Sequence, residues 1–372
     1  MNVLWVTWKD MAHPEAGGAE VVADELCRRL VEEGNHVMML TTDYPGASST
    51  SPTPGVEVIR VGSSRYTHPM QALWFYICHL RNKYDAVIEE VNGGAPYFTV
   101  FFGRQAPRYM LYHQLARVNW LYEIPKPFSY IGYYLVVPIA TRIAAWARTP
   151  LITVSESSKN VLRAFGFDPA KTYILSEGIK IDPITDLSKV QKFDRPTVLS
   201  HGGMRAMKRT IDQIKAFEIA KKTMPDLQLK VSGSSSGAYG KKVMSYIAKS
   251  PYKSDIEYLG RTTDEQKIEL MQRSHAILVT SVEEGWGLIV TEANSQGTPA
   301  IVYDVAGLRD SVKHAETGIV TAENPAALAD GIVTLLHNEQ AYEPMRKNGW
   351  QWSKTITFDQ SYKDLKKALE IA

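Results

Sequence analysis

The sequence SVEEGWGLIVTEANSQGTP, residues 281–299, sets two carboxylates, Glu284 and Glu292, on either side of a Gly-Trp-Gly turn. The residues just before it, HAILVT, form a short apolar run that predicts a buried strand. The glycines then predict a loop through Gly287, and a helix is expected from about Leu288. Glu284 would therefore lie in the loop, and Glu292 more than one turn inside the helix.

Between the two acids, four backbone amides form a predicted anion-binding helix start. They belong to Gly285, Trp286, Gly287 and Leu288. Because an ionised carboxylate is a strong acceptor for paired hydroxyls, one acid can hold a ribose and the other a sugar ring, with phosphates between them. The alternative is a capping acid followed by a solvated helix acid. The apolar run around Glu292 argues against free solvation of that side chain.

The pattern of strand, loop and helix recurs along the whole chain. Seven short apolar runs alternate with helix-like stretches in the first half: NVLWVT, HVMMLTT, VEVIRV, DAVIEEV, RYMLYH, LITVS and TYILSE. Six more follow in the second half: TVLSHGG, LQLKVSG, IEYLG, HAILVTS, TPAIVYD and GIVT. This alternation predicts an α/β fold of two doubly wound, Rossmann-like domains, each with a parallel sheet.

A polar, proline-containing stretch near residues 180–196, KIDPITDLSKVQKFDRP, is predicted to be the linker between them. We therefore expect an N-terminal domain over residues 1–182 and a C-terminal domain over 196–355. A helix over 356–372 is expected to cross back to the N-terminal domain. The carboxyl ends of the strands should face one another across a cleft, because ligands of open α/β sheets bind at those ends.

Paired glycines follow the first strand of each predicted domain. Gly17 and Gly18 precede a helix expected from about Ala19, so their amides and the helix dipole should attract an anion. In the second domain Gly202-Gly203 is followed by Arg205 and Lys208 at the entrance to the next helix. Cations at a helix N-terminus oppose the dipole unless an anion lies between them, which predicts a diphosphate there.

With these motifs the chain resembles the retaining glycosyltransferases of family four, which have the GT-B fold. The spacing Glu284-x7-Glu292 with EGWGL carries the resemblance, and other motifs fall in the family's order. They are GGAE at 17–20, VSESSK at 154–159, SEGI at 176–179, IEYLGRTTDEQ at 256–266 and the later GIVTAENPAALADGI. The resemblance covers nearly the whole chain and indicates the family more strongly than the substrate.

The resemblance implies a role for each matching residue. Glu292 would bind the ribose hydroxyls of a nucleotide, and Glu284, with the amides of residues 286–288, the transferred sugar and its phosphate. Lys208 matches the family's pyrophosphate lysine. His113, in YMLYHQLAR, stands where the family keeps a histidine near the sugar and acceptor. The alternative for His113 is a hydrogen-bonded structural residue at a strand end.

Three further positions complete the implied donor site, and one departs from the family. Gly18 would donate from the first domain, while Gly233 and Arg261 would border the nucleotide base. The family commonly has Gly-Arg where this chain has Gly202-Gly203, so the usual pyrophosphate arginine is replaced by Gly203. Arg205, two residues later, is the candidate substitute.

The implied reaction is retaining transfer from a nucleotide-diphosphate sugar, UDP- or GDP-linked, to a hydroxyl acceptor. The leaving phosphate itself would accept the acceptor's proton. No Asp-x-Asp occurs in the chain, so neither a metal nor another cofactor is expected. A nucleotide-sugar epimerase, a phosphorylase of the same architecture and a non-catalytic glycan-binding protein remain as alternatives.

Charge and cysteine content limit the possible partners and cellular compartments of the protein. A net charge of +2 gives no indication of a nucleic-acid partner. Cys27 and Cys78 both lie in apolar stretches, are expected to be buried, and fit a reducing, cytoplasmic compartment. MNVLWVTW runs straight into a strand pattern, which predicts no signal peptide.

The first domain has features that suit a membrane surface. Residues 60–163 hold twelve basic and five acidic residues, and ALWFYICHL at 72–80 and PFSYIGYYLVV at 127–137 are rich in aromatic residues. These features predict a lipid-linked or otherwise amphipathic acceptor and contact with the inner face of the membrane, while the resemblance implies a hydroxyl of a glycan or lipid-linked glycan. The segment from Pro127 is interrupted by Pro138 and Arg142, so a buried or interfacial helix is expected instead of a membrane span. The alternative is that both stretches are core helices and the acceptor is soluble.

Overall fold

The computed structural model of the protein describes residues 1–64, 67–92, 95–103 and 106–370. The chain divides into two compact units. Unit 1 consists of Met1–Gly178 with Phe358–Ala372, and unit 2 of Ile179–Thr357. Two of the basic residues counted above, Arg65 and Arg104, lie outside the described residues.

Unit 1 is built on a seven-stranded parallel sheet. Its strands are β1 (Asn2–Val6), β2 (His36–Thr41), β3 (Val56–Arg60), β4 (Ala86–Asn92), β5 (Arg108–Gln114), β6 (Leu151–Thr153) and β7 (Thr172–Ile174). They pair in the order β3-β2-β1-β4-β5-β6-β7. Every one of the seven predicted runs forms a strand, because strands buried on both faces are almost continuously apolar.

The helices of unit 1 connect these strands. They are α1 (Gly18–Glu32), α2 (His68–Phe75), α3 (Asn119–Glu123), α4 (Phe128–Ile131), α5 (Val137–Trp146) and α6 (Glu156–Arg163). A π-helical turn, Tyr76–Leu80, extends α2, and another, Gly132–Val136, joins α4 to α5. Short 3₁₀ turns occur at Thr99–Phe101 and Pro169–Lys171.

Unit 2 repeats the design with a six-stranded parallel sheet. Its strands are β8 (Thr197–His201), β9 (Gln228–Ser232), β10 (Ile256–Gly260), β11 (Ala276–Val279), β12 (Ala300–Tyr303) and β13 (Gly318–Thr321). They pair in the order β10-β9-β8-β11-β12-β13. The helices are α7 (Thr210–Ala220), α8 (Gly237–Lys249), α9 (Asp264–Arg273), α10 (Leu288–Ser295), α11 (Pro325–His337) and α12 (Glu339–Ser353), with 3₁₀ turns at Leu187–Lys189, Ala206–Lys208 and Lys253–Asp255.

The strand order of each sheet reverses at one pair of neighbours. In unit 1 these are β1 and β4, and in unit 2 they are β8 and β11. Chain connections leave such a pair toward opposite faces of the sheet, which opens a crevice beyond the carboxyl ends of the two strands. The loops after β8 and β11 carry Lys208 and Glu284, so these two candidate residues fall at this reversal.

The segment predicted as a linker is fixed to unit 2. The Lys192 ammonium donates to the carbonyl oxygens of Gln272, Ser274 and Gly297 at 2.6–2.9 Å, and to Thr298 Oγ1 at 2.7 Å. A buried cation requires such partners, and all four belong to unit 2. The division between the units accordingly falls between Gly178 and Ile179, slightly before the predicted stretch of 180–196.

The last helix, α13 (Phe358–Ala368), packs into unit 1. Leu365 is fully buried in the same apolar cluster as Leu26 and Leu30 of α1. Polar contacts also fix the helix, since the backbone amide of Gly178 donates to Ser361 Oγ at 3.0 Å.

One burial prediction was wrong. Cys27 is buried, whereas Cys78 is exposed. Cys78 lies on the π-helical turn Tyr76–Leu80, where Tyr76 and Leu80 occupy the buried positions and leave Cys78 facing outward.

Candidate active site

The loops after β8 and β11 are joined by hydrogen bonds that bring Lys208 toward Glu284. Thr280 Oγ1 donates to the Lys208 carbonyl at 2.8 Å, and the Val282 amide donates to the Met207 carbonyl at 2.9 Å. The 3₁₀ turn Ala206–Lys208 is thereby held against the start of the EGWGL loop. Two segments more than 70 residues apart in sequence form one site.

Lys208 and Glu284 form an ion pair at the centre of this site, with Lys208 Nζ on Glu284 Oε1. Ser281 Oγ donates to the same oxygen at 2.6 Å. Burial alone would raise the pKa of Glu284, but Lys208, Ser281 and the nearby charge of Arg205 lower it below its ordinary value. Glu284 is therefore an ionised acceptor at neutral pH.

Arg205 is exposed beside this pair, just before the 3₁₀ turn. Its charge acts on Glu284, which places it in the same electrostatic environment as Lys208. Gly203 is also exposed and leaves open space where a side chain would begin, since no atom lies within 4 Å of an ideal Cβ there. At the position where the family has arginine, this chain therefore has no side chain, and Arg205 is the cation two residues later.

The glycine turn before α10 has the predicted form. Gly287 adopts φ +94°, and α10 begins at Leu288 as expected. A Cβ on Gly287 would lie 2.8 Å from Leu308 Cδ2, so both the backbone conformation and the packing require glycine. Gly285 is buried, and the Trp286 indole donates to Thr291 Oγ1 at 2.9 Å.

Glu292 is separate from the Lys208–Glu284 pair and has its own cation. Its Oε1 lies 2.7 Å from Lys267 Nζ of α9, and the two side chains are 16% and 17% exposed. Burial raises the pKa of Glu292; Lys267 opposes this shift, and the charge of Asp264 adds to it. Lys267 therefore offsets part of the rise that burial causes in the pKa of this carboxyl group.

The loops expected to border a nucleotide base lie at the carboxyl ends of β8, β9 and β10. Gly233 adopts φ +128°, its amide donates to the Gly260 carbonyl at 2.7 Å, and a Cβ there would lie 2.0 Å from the Gly202 oxygen. The three loops are therefore in backbone contact at Gly233. Arg261 follows β10 directly and is exposed.

The glycine pair of unit 1 differs from its prediction. Gly17 precedes α1 and Gly18 is its first residue, but the Gly17 amide donates to Glu20 Oε2 at 2.6 Å. Glu20 is buried, with Lys9 Nζ 3.3 Å from its other oxygen and Asn92 donating to it at 2.7 Å. The expectation of a bare amide at Gly17 was wrong, because an acid of the chain itself occupies this position at the helix start.

His113 lies in β5, buried between two carboxylates of unit 1. Its Nδ1 is 2.6 Å from Glu177 Oε1 and its Nε2 is 3.1 Å from Glu90 Oε1. Burial would lower the pKa of His113, but the two glutamates raise it to about 10. The ring is a cation with both N–H groups donated, so the predicted contact with sugar or acceptor would require one of these bonds to open.

Four partner residues were not identified from the sequence: Glu90, Glu177, Lys267 and Ser281. The run DAVIEEV does place two acids inside an apolar strand, a pattern that indicates buried and partnered carboxylates. SEGI was noted as a motif without a role for Glu177. Nothing in TTDEQKIEL distinguishes Lys267 from the exposed charges of a surface helix.

Comparison with known proteins gives consistent matches along both units. A family model described as Glycosyltransferase Family 4 matches residues 16–183, and one described as Glycosyl transferases group 1 matches residues 184–352. A D-inositol 3-phosphate glycosyltransferase of Paenarthrobacter aurescens (strain TC1) is 25% identical, over 94% of this chain and 93% of its own length.

Solved structures show the same fold. Sucrose-phosphate synthase from Thermosynechococcus elongatus superposes with a TM-score of 0.78 at 18% identity, covering 99% of this chain and 98% of the other. HepE of Anabaena, in complex with UDP-glucose, gives a TM-score of 0.72 at 14% identity, covering 100% and 99%.

Proposed function

We propose, since this chain belongs to the family 4 glycosyltransferases and has their GT-B fold, that it moves a sugar from a nucleotide-diphosphate sugar to a hydroxyl acceptor with retention of configuration. The observation that carries the proposal is the cluster of Lys208, Glu284 and Arg205 where the strand order of unit 2 reverses. It combines an acceptor for sugar hydroxyls with two cations for a diphosphate.

In this mechanism Lys208 exchanges partners. Its ammonium, bound to Glu284 in the present structure, turns to the donor's phosphates when the donor enters. Glu284 is then released to accept hydrogen bonds from the sugar. The bond between the anomeric carbon and the phosphate oxygen breaks with its electron pair leaving on the diphosphate. Lys208, Arg205 and the amides at the start of α10 stabilise that growing negative charge.

The acceptor's hydroxyl oxygen forms the new bond on the same face of the sugar, and its proton passes to the leaving phosphate. No carboxylate nucleophile and no resident cofactor take part. We assign charge neutralisation to these side chains without a metal ion, in keeping with the lack of an Asp-x-Asp sequence.

Glu292 is assigned to the ribose hydroxyls, and the loops at Gly233 and Arg261 to the base. UDP or GDP is the expected nucleotide, and the bound UDP-glucose of HepE supports the first. The acceptor is a hydroxyl of a glycan or a lipid-linked glycan, and the setting is the cytoplasm, in keeping with only two cysteines in the chain.

Thermal denaturation with UDP, GDP, ADP, TDP and their sugars tests the donor assignment, because a ligand that binds only the native state raises the melting temperature. The selected donor is then incubated with candidate acceptors, and the anomeric configuration of the product is read by NMR. Donor conversion without acceptor would indicate an epimerase. Dependence on inorganic phosphate would indicate a phosphorylase, and no binding of any nucleoside diphosphate would indicate a non-catalytic protein.

A further inference from the structure

The helical segment Phe128–Trp146 turns its large apolar side chains toward solvent. It is long and apolar enough to cross a membrane, and 39% of it is buried within the protein. Eight large apolar residues along it are 42–74% exposed: Phe128, Tyr130, Ile131, Tyr134, Leu135, Val136, Ile139 and Trp146. This is the reverse of an ordinary surface helix, in which the apolar face is buried.

The buried face of the same segment is made mostly of small residues. Ser129, Gly132, Thr141 and Ala144 are all buried. At Gly132 the helix meets the Trp120 ring so closely that a Cβ would lie 1.8 Å from Trp120 Cε3. The helix thus packs on unit 1 through its small residues. This packing leaves the large apolar residues on the opposite, solvent-exposed face.

A side-chain anchor at the π-helical turn Gly132–Val136 fixes this orientation. Pro138 has no amide hydrogen, which frees a carbonyl in the preceding turn. Arg117 Nε donates to the Tyr133 carbonyl at 3.0 Å, and its guanidinium lies 4.1 Å from the centre of the Tyr133 ring. The outward face is therefore held in place by both packing and polar contacts.

The charged residues over 124–155, which include this segment, are all basic. Residues 124–155 contain no Asp or Glu, and their three charged residues are Lys126, Arg142 and Arg148. All three are exposed. A partner with negative charges beside an apolar layer would complement this combination. A second copy would not, because a two-fold contact would bring the same cations together without an acid in the segment to pair with them.

We propose that Phe128–Trp146 lies along the surface of an anionic lipid bilayer, with its exposed rings and aliphatic chains in the interface and its cations at the headgroups. The small-residue face stays packed on unit 1, so the segment rests on the bilayer and does not cross it. This goes beyond the proposed function and does not depend on donor chemistry, because the binding can be measured without turnover.

Flotation of the full-length protein tests the proposal. The vesicles are phosphatidylcholine alone, or phosphatidylcholine and phosphatidylglycerol in equal parts, each at low and high salt. The wild type is expected to float with the anionic vesicles at low salt and to bind less at high salt. The triple variant Tyr134→Ser, Leu135→Ser, Ile139→Ser is expected to lose this binding. Ile219→Ser, which removes an exposed apolar side chain from unit 2, is the matched control and should float like the wild type.

A second measurement locates the contact even if the triple variant folds poorly. Trp146 is 74% exposed, so lipids brominated on their acyl chains should quench its fluorescence, and Trp146→Phe should remove that quenched fraction. Absence of wild-type flotation on anionic vesicles at low salt would overturn the proposal. So would equal quenching in Trp146→Phe, or a dimer in sedimentation that the triple variant abolishes while vesicle binding is unchanged.

Discussion

In the proposed mechanism Lys208 serves two partners, Glu284 before the donor enters and the donor's phosphates during transfer. Lys208→Ala should lower kcat by about 10²–10³-fold, because its interaction with the leaving diphosphate strengthens as charge develops in the transition state. The measurement is the steady-state rate of nucleoside-diphosphate release. Lys222→Ala, at an exposed lysine of the same unit, is the control and should leave kcat unchanged. A Lys208→Ala enzyme with wild-type turnover would contradict the phosphate assignment.

Glu292 and Lys267 allow a test of the ribose assignment. Glu292→Ala should weaken donor binding by roughly 1.5–3 kcal/mol, since it removes charge-assisted hydrogen bonds. Lys267→Met should make the affinity for the donor depend on pH. Without its cation, and with Asp264 still nearby, the already raised pKa of Glu292 rises further. The carboxyl group then binds a proton at higher pH, so donor affinity should fall most at low pH and recover as pH increases.

Calorimetric titration of the selected nucleotide across pH measures this effect. Lys267→Arg keeps the positive charge and should restore the wild-type dependence of donor affinity on pH. If Lys267 had a purely structural role, keeping its charge would not by itself restore this dependence. A pH-independent loss of affinity in Lys267→Met would show that the lysine does not act through the ionisation of Glu292.

Single residues also mark how far sequence could go in defining the site. Glu284, Glu292 and Lys208 could be selected as candidates, because the spacing of acids, glycines and a strand end is local. Their partners could not, because the cation beside Glu292 comes from a different helix and depends on how α9 and α10 pack. The acid bonded to the Gly17 amide was missed although it lies three residues away, since a motif does not say which acceptor an amide takes.

At the scale of elements, the His113 contacts join β4, β5 and the segment that follows β7. His113→Leu would leave Glu90 and Glu177 buried without their cation, at a cost of about 3–5 kcal/mol in unfolding free energy. The folded pKa of about 10 exceeds the unfolded value near 6.5, so the stabilisation is full below about pH 6.5 and is lost as pH rises toward 10.

Urea unfolding from pH 6 upward measures this pH dependence of the unfolding free energy. The difference between wild type and His113→Leu should narrow with increasing pH. His36→Leu, which removes an exposed histidine 2.8 Å from Glu57, is the control and should change stability little. A difference that is constant with pH would mean that His113 is neutral in the folded protein.

The ends of β8, β9 and β10 depend on a glycine at 233. Gly233→Ala places a Cβ 2.0 Å from a backbone oxygen at φ +128°, so the strand ends must separate. Gly237→Ala has a similar positive φ of +89° but no atom within 4 Å, and isolates the conformational cost, about 1–2 kcal/mol. Gly233→Ala should lower the unfolding free energy by more than Gly237→Ala in denaturant titrations. Equal losses would mean that the loops move apart freely.

Elements differ in how well the sequence predicted them. All thirteen strands of the described part of the chain were identified, since an apolar run of four to seven residues bounded by turns rarely forms any other structure. The direction in which Phe128–Trp146 faces was left open between core and interface. Composition alone does not predict which face is buried, because small and large apolar residues both favour burial. The inward face becomes evident only from tertiary packing, such as that of Gly132 on Trp120.

At the scale of the whole molecule, the net charge of +2 conceals an uneven distribution. The excess of basic residues over residues 60–163 is larger than the total, so the rest of the chain is net acidic. Attraction to an anionic surface would therefore act on residues 60–163 in particular. This fits the position of the exposed helical segment within that stretch.

Each unit has its own core, and the chain enters unit 1 twice because α13 returns to it. Leu365 of α13 and Leu335 of α11 are both buried, in the core clusters of unit 1 and unit 2 respectively. Leu365→Ala and Leu335→Ala should each cost about 2–5 kcal/mol through lost burial and the cavity left behind. Hydrogen exchange read by mass spectrometry should show faster exchange in β1 to β7 for Leu365→Ala and in β8 to β13 for Leu335→Ala. If either variant accelerated exchange equally in both sheets, the two units would unfold as one cooperative body, and the C-terminal helix would stabilise the whole chain instead of unit 1 alone.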